Sequence, residues 1–336
     1  MIKVRGIDSI RALAAIWVFL SHLGKIPLES HLGTGRMVSL LLSIYGTLFN
    51  GTAAVVIFFI ISGICIRLAS QAESLELGPF WVRRFVRVGG PLLCAVGLSH
   101  FVFGSTDVLD AVLWSLYCEL IYYFIYPFLC SMASKIGWPL MIVTSLIAAC
   151  ALVSVKDDHN GFLWTYGVGL SWILGLPSWL LGVYVADNLR APGWMPTFWP
   201  RRALWGAMWL ASSVALVAHF HSPLSYKYTM IPFGLMASWW LLVELRAAAN
   251  EKENAILTWI GTWSYSLYLC HKIAIGLIVM AGFSIEKELL AFAAALILGL
   301  VMSYAFFRLI ERPFHELARR LSKGAPVIFT TRVAAQ

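Results

Sequence analysis

Ile7-Asp8-Ser9-Ile10-Arg11-Ala12-Leu13-Ala14-Ala15-Ile16-Trp17-Val18-Phe19-Leu20-Ser21-His22 is an apolar run with a fixed cation near its start and an imidazole at its end. Arg11 and His22 are eleven positions apart. On a helix that is close to three whole turns, so both side chains share one face, about 16 Å apart along the axis. Charged groups at bilayer depth are expensive, so a stripe of this kind faces a bundle interior or an aqueous cavity and marks a functional path. The start Met1-Ile2-Lys3-Val4-Arg5 resembles a signal peptide, but the run behind it carries Arg11 and His22 and shows no small-residue cleavage pattern. A retained first span is therefore expected.

Composition gives the class. Hydrophobic residues make up 60% of the 336 and charged ones 12%, with a mean hydropathy of +0.79. That is more apolar surface than a soluble fold of this size can bury, so an all-α, polytopic integral membrane bundle is expected. Trp81, Trp138, Trp164, Trp199, Trp239, Trp240 and Trp259 fall near the ends of apolar runs, as interfacial anchors do. About ten stretches are long enough to cross some 30 Å of hydrocarbon: 8–24, 51–68, 82–103, 110–130, 138–155, 162–186, 203–219, 228–245, 257–281 and 289–310. The shorter piece 37–49 reads as an interfacial or re-entrant helix.

With the N-terminus inside, nineteen Lys and Arg residues fall on the inner side and five outside, and Lys272 lies within a span. This bias predicts an even number of spans with both termini cytoplasmic. It also accounts for the net charge of +8 through anionic headgroups, with no nucleic-acid partner. A single membrane domain over 1–320 is expected, followed by a short cytoplasmic tail, 321–336, that reads as disordered or interfacial. The six cysteines lie in apolar runs without a C-x-x-C pair, so they read as buried small hydrophobes, and no metal site is expected.

Other polar groups sit within the spans. Glu119 lies inside the fourth, with Ser115, Tyr122 and Tyr126 on its helical face, which could bond a buried carboxylate or aim it at a substrate. His271 is mid-span beside Ser264 and Tyr268, either a packing hydrogen-bonder or an active-site partner. Arg84 and Arg87 are one turn apart and can converge on one anion, since guanidinium forks suit phosphate. Arg83 beside them reads as a positive-inside anchor. Glu311 reads as an interfacial ion-pair partner of Arg308 or Arg312. His31, His159, His219 and His221 fall in outer loops and His315 on the inner side, and none is given a role.

These residues, taken together, resemble the multispanning membrane acyltransferases of acyltransferase family 3. That family carries a basic residue, ten intervening residues and a His on its first helix, as Arg11 and His22 do here. It also carries Phe-Phe-x-x-Ser-Gly, matched by Phe58-Phe59-Ile60-Ile61-Ser62-Gly63, and Arg-x-x-Arg, matched by Arg84-Phe85-Val86-Arg87. Leu-Trp-Ser-Leu-x-x-Glu is matched by 113–119, Ser-Tyr-Ser-x-Tyr-Leu-x-His by 264–271, and a terminal Glu-Arg-Pro by Glu311-Arg312-Pro313. The matches run in family order along nearly the whole chain. Departures are Val56 where relatives often carry Asp, Gly89-Gly90 in place of an aromatic-proline pair, and Cys270 and Lys272 flanking His271 where Trp is usual.

The resemblance implies transfer of an acyl group, acetyl by expectation, from cytoplasmic acyl-CoA to a hydroxyl of a surface polysaccharide or lipid-linked glycan at a bacterial inner membrane. Arg11, Arg84 and Arg87 would bind the coenzyme A phosphates. His22 would act as general base or, alternatively, as a transiently acylated nucleophile. Glu119 would orient His22 or the acceptor, His271 would be an active-site partner, and Ser62 or Tyr268 would donate to the oxyanion. No permanently bound cofactor is implied beyond the acyl-CoA (acetyl-CoA) donor, and the partners are membrane lipids and the glycan or other hydroxyl acceptor. A small secreted metabolite as acceptor, a transporter or flippase with an Arg/Glu/His relay, and a non-catalytic scaffold remain alternatives to this assignment.

Overall fold

Breaks in the apolar runs decide where helices start and stop. The computed structural model describes residues 4–28, 35–72, 75–156, 163–224, 226–324 and 330–331. Lys3, His31, His159 and Arg332 lie outside the described residues. Helix α1 (Ile7–Leu23) stops at Gly24, whose φ of 77° ends the turn without a Cβ clash. Next come α2 (Arg36–Leu48), α3 (Gly51–Ala72), α4 (Leu77–Phe103), α5 (Asp110–Ile136) and α6 (Trp138–Val155). Then follow α7 (Ser171–Asn188), α8 (Phe198–His221), α9 (Tyr226–Ala248), α10 (Ala255–Thr262), α11 (Ser264–Met280), α12 (Leu289–Phe306) and α13 (Arg312–Gly324). Two short strands, β1 (Leu75–Glu76) and β2 (Thr330–Thr331), pair antiparallel. Helix α13 thus runs past residue 320, and part of the expected tail is paired strand.

Each of the ten expected stretches coincides with a helix, but the number fit to cross a membrane is smaller. Among the described residues seven helices are long and apolar enough, or eight if a bent pair counts as one span. Helix α1 has only 17 residues. Helix α7 starts at Ser171, later than the expected 162, and ends in the polar Asp187-Asn188. The stretch 257–281 is broken at Trp263 into α10 and α11, bent by 70°. The expected short helix is α2, 13 residues long, with Met37, Leu40, Leu41 and Ile44 exposed and Leu42 buried.

Helices α3 and α7 form the centre and are packed by α1, α5, α6 and α9. Their approach is set by two glycines: a Cβ on Gly63 would collide with the Trp179 carbonyl oxygen, and one on Gly182 with the Ile60 carbonyl oxygen. Small residues let membrane helices meet backbone to backbone where lipid supplies no hydrophobic drive for helices to associate. Around this pair, α4, α6, α8 and α12 are the more exposed helices, with apolar side chains such as Leu93, Ile147, Leu210 and Val301 facing outward. The polar pair Arg67 and Asp187 ties α3 to α7 by two hydrogen bonds of 2.6 and 3.0 Å. Beyond the end of α9, the Glu251 carboxylate is held below its usual range by the Arg201 guanidinium, which bonds it at 2.7 Å. A depressed carboxylate stabilises above its unfolded pKa and loses that contribution as pH falls through the folded one. The difference in thermal stability between wild type and Glu251→Gln is therefore expected to be small at neutral pH and to vanish in acid, read by melting curves in detergent at each pH.

Candidate active site

His22 occupies the last turn of α1 and His271 the middle of α11. Their rings lie 5.0 Å apart with 14° between planes, and His22 Nδ1 is 2.8 Å from His271 Nε2. His271 is fully buried, and its Nδ1 lies 3.0 Å from the Leu267 carbonyl oxygen. That oxygen only accepts, so His271 Nδ1 carries the proton and its Nε2 holds a lone pair. His22 must then donate through Nδ1–H, which leaves the lone pair of its own ring on Nε2. The chain Leu267 to His271 to His22 thus sets a tautomer with one basic nitrogen on the half-buried His22. Phe19 packs against the His271 ring at 5.5 Å and fills the space left by Gly299.

The placement of α11 depends on Glu311. Pro313 has no N–H, and its ring would clash with the carbonyl four residues back. The helix answers with a π-turn over Phe307–Glu311. Glu311 is turned inward, 2% exposed, and accepts from Ser266 N at 3.1 Å and Ser266 Oγ at 2.5 Å. Its carboxylate therefore satisfies an otherwise orphaned amide in the first turn of α11. The expected ion pair with Arg308 or Arg312 is not formed. Arg312 bonds Glu316 at 3.3 Å instead, and the ring nitrogen of His315 lies 3.4 Å from Glu311. That same His315 Nε2 accepts from Arg87 Nε at 3.2 Å, so an inner-side histidine given no role supports one of the expected phosphate ligands.

Between α1, α3, α4, α5 and α11 lies a cavity of about 350 Å³. Arg11, Arg84, Arg87, Ser62, Glu119 and Tyr268 all line it. Arg11 sits 3.6 Å from Asp8 and 3.2 Å from Cys65 Sγ. Arg84 lies over the rings of Phe80 and Tyr123, at 5.8 and 5.9 Å, and its buried Nε has no hydrogen-bond partner among the described residues. An unsatisfied guanidinium in a cavity is a ready anion ligand.

Glu119 accepts from Ser62 Oγ at 2.7 Å and from the Tyr123 hydroxyl. The other residues of its helical face bond elsewhere. Ser115 pairs with the Tyr268 hydroxyl at 2.6 Å, Tyr122 donates to the Trp172 carbonyl at 2.8 Å, and Tyr126 pairs with Ser70 at 2.5 Å. The hydrogen-bonding partner of His22 is thus His271, while Glu119 organises the cavity wall. His22 and His271 are not among the lining residues. Tyr268 lines the cavity and neighbours His271, its ring 5.6 Å from Phe58 and 6.1 Å from His271.

The acyltransferase-domain family matches residues 4–308. The chain belongs to the acyltransferase-3 family. The match takes in Arg11, His22, Ser62, Arg84, Arg87, Glu119, Tyr268 and His271 and ends short of Glu311. The chain is also 24% identical over 311 residues to the Exopolysaccharide production protein ExoZ of Rhizobium meliloti (strain 1021), covering 82% of this chain and 93% of that protein. No solved structure matches. As an acyltransferase-3 protein the chain is a multi-pass membrane acyltransferase. Besides His315, Glu311 and Tyr123 lie outside the expected set. The proline two places after Glu311 signals a broken helix in which that carboxylate can turn inward, and Tyr123 one turn after Glu119 signals a hydroxyl within its reach.

Proposed function

We propose that this chain moves an acyl group, acetyl in the simplest case, from acyl-CoA to a hydroxyl of an exopolysaccharide or its lipid-linked precursor. The observation that carries this reading is the tautomer chain that leaves a lone pair on His22 Nε2. His22 Nε2 takes the acceptor hydroxyl proton as the oxygen attacks the thioester carbonyl carbon. Collapse of the tetrahedral intermediate breaks the C–S bond, and the departing thiolate recovers the proton from His22 Nε2–H. The products are the ester and free coenzyme A. Tyr268, which lines the cavity beside His271, would turn its O–H from Ser115 to the oxyanion, with Ser62 as the second candidate donor.

Arg11, Arg84 and Arg87 would hold the donor at the cytoplasmic end, with the termini on that side, while the acceptor approaches from the other. Glu119 would hold Ser62 and Tyr123 in the wall along which the pantetheine arm passes. The family and a relative named for exopolysaccharide production support a glycan acceptor. Arg84→Gln is expected to raise KM for acyl-CoA about 10- to 100-fold with a far smaller change in kcat, because a charge-assisted contact is worth about 1.5–3 kcal/mol. The reading is tested with purified protein in vesicles, labelled acetyl-CoA and glycan-bearing membranes. Label should pass to glycan with stoichiometric release of free thiol, whereas an untouched thioester pool would refute it.

A further inference from the structure

The cavity takes the narrow arm of the donor, and Arg11, Arg84 and Arg87 its pyrophosphate, which leaves the adenosine 3′-phosphate end without a seat. A cavity of about 350 Å³ suits a pantetheine chain, but the adenosine with its 3′-phosphate must lie outside it. Next to the cavity is an open groove whose lining includes Arg5, Lys252, Trp259 and Thr262. Thr262 lines both, and Val4 lines the cavity where the following residue, Arg5, lines the groove. The two spaces therefore adjoin at the Thr262 end of α10. Resting on the proposed acyl-CoA reaction, we infer that this groove binds the adenosine 3′-phosphate end of the donor, with Lys252 and Arg5 on its 3′-phosphate and Trp259 beneath its base.

The charges in the groove are compatible with an anion. Both oxygens of Glu251 are taken by Arg201, at 2.7 and 2.7 Å, and a Glu253 oxygen accepts the Gly6 amide at 3.2 Å. Arg5 is exposed and gives one hydrogen bond, to the Ala249 carbonyl at 3.3 Å. Lys252 is exposed and makes no ion pair among the described residues. Trp259 is held from the side by Trp263 and Tyr304, each with ring centroids 5.3 Å away, yet it stays 51% exposed. A rigid, half-open indole beside two cations is the chemistry of a nucleotide platform: stacking on one face and phosphate contacts at its edge. Two anchoring points outside the membrane would also fix the depth to which the thioester reaches.

The test compares acyl-CoA, 3′-dephospho-acyl-CoA and S-acyl-pantetheine as donors for the full-length protein in vesicles. Lys252→Ala and Trp259→Leu are each expected to lower kcat/KM for acyl-CoA, relative to that for S-acyl-pantetheine, by about 5- to 100-fold, the range set by one stacked base or one phosphate contact. Lys252→Arg and Trp259→Tyr should restore most of the ratio. The Lys252 effect should also shrink with the 3′-dephospho donor if that phosphate is its partner. Equal losses with acyl-CoA and S-acyl-pantetheine would assign Trp259 to membrane anchoring and overturn the groove as a nucleotide site, as would variants that leave the ratio unmoved. Wild-type protein that consumes none of the three thioesters would instead sink the proposed reaction, and the groove assignment with it.

Discussion

His22→Ala is expected to lower acyl transfer by about 10²- to 10⁴-fold at an unchanged level of folded protein in the membrane, the usual contribution of a positioned general base. The geometry makes the companion variants informative. His271 acts on His22 through one hydrogen bond of 2.8 Å, so His271→Ala should cost less, roughly tenfold, by releasing the ring orientation and the tautomer. His271→Gln offers a carbonyl oxygen to His22 Nδ1–H and should recover part of that loss. A histidine pair that served only packing would show the reverse, with His271→Ala, the buried member, the more damaging through instability and His22→Ala still active. Initial rates in vesicles, normalised to folded protein, decide between the two.

Gly182→Val is expected to abolish the folded state in detergent. A side chain there meets the Ile60 backbone, and one on Gly63 meets the Trp179 backbone. A backbone atom cannot rotate aside, so α3 and α7 must separate along the most buried crossing in the bundle. Overpacking typically costs about 1–3 kcal/mol, and the β-branched valine at a reciprocal contact should lie at or beyond the upper end. Gly89 serves as the control. No atom of the described residues lies within 4 Å of a Cβ built there, so Gly89→Ala should be neutral or slightly stabilising through helix propensity. Size-exclusion profiles and melting temperatures in detergent read both. A monodisperse, wild-type-like Gly182→Val protein would show that the crossing is looser than described.

The shared face of Arg11 and His22 is legible from spacing alone, because both belong to one helix whose period is known. The pairing of His22 with His271 is not, since 249 residues separate them and only the packing of α1 against α11 brings them together. Glu119 illustrates the limit within one helix. Periodicity puts Ser115, Tyr122 and Tyr126 on its side, yet each hydroxyl finds a nearer partner on another helix, and Tyr123 is the one that reaches the carboxylate. Glu311 is misread for a related reason. An acidic residue between two arginines reads as a surface ion pair until the π-turn, forced by Pro313, carries it inside to the start of α11. Seven helices among the described residues, or eight with the bent pair, pass on length and hydropathy where about ten stretches are expected, and such a test passes over a helix sheathed by protein. Helix α7 is buried along most of its length by its neighbours, so it needs no uniformly apolar surface and carries Pro177 and Asp187 without penalty. Arg84 is the converse case. Its position in a basic cluster is plain in the sequence, but that its Nε has no hydrogen-bond partner among the described residues, which makes it a candidate ligand, is a property of the folded cavity.

The O-acetyl content of host surface polysaccharide, measured by proton NMR in a deletion strain complemented with wild type or His22→Ala, tests acyl transfer to a glycan most directly. Wild type is expected to restore the acetyl signal, and His22→Ala, inserted to the same level, to leave it at the deletion background. An acetyl signal that is the same with and without the gene, or that His22→Ala restores in full, would contradict it.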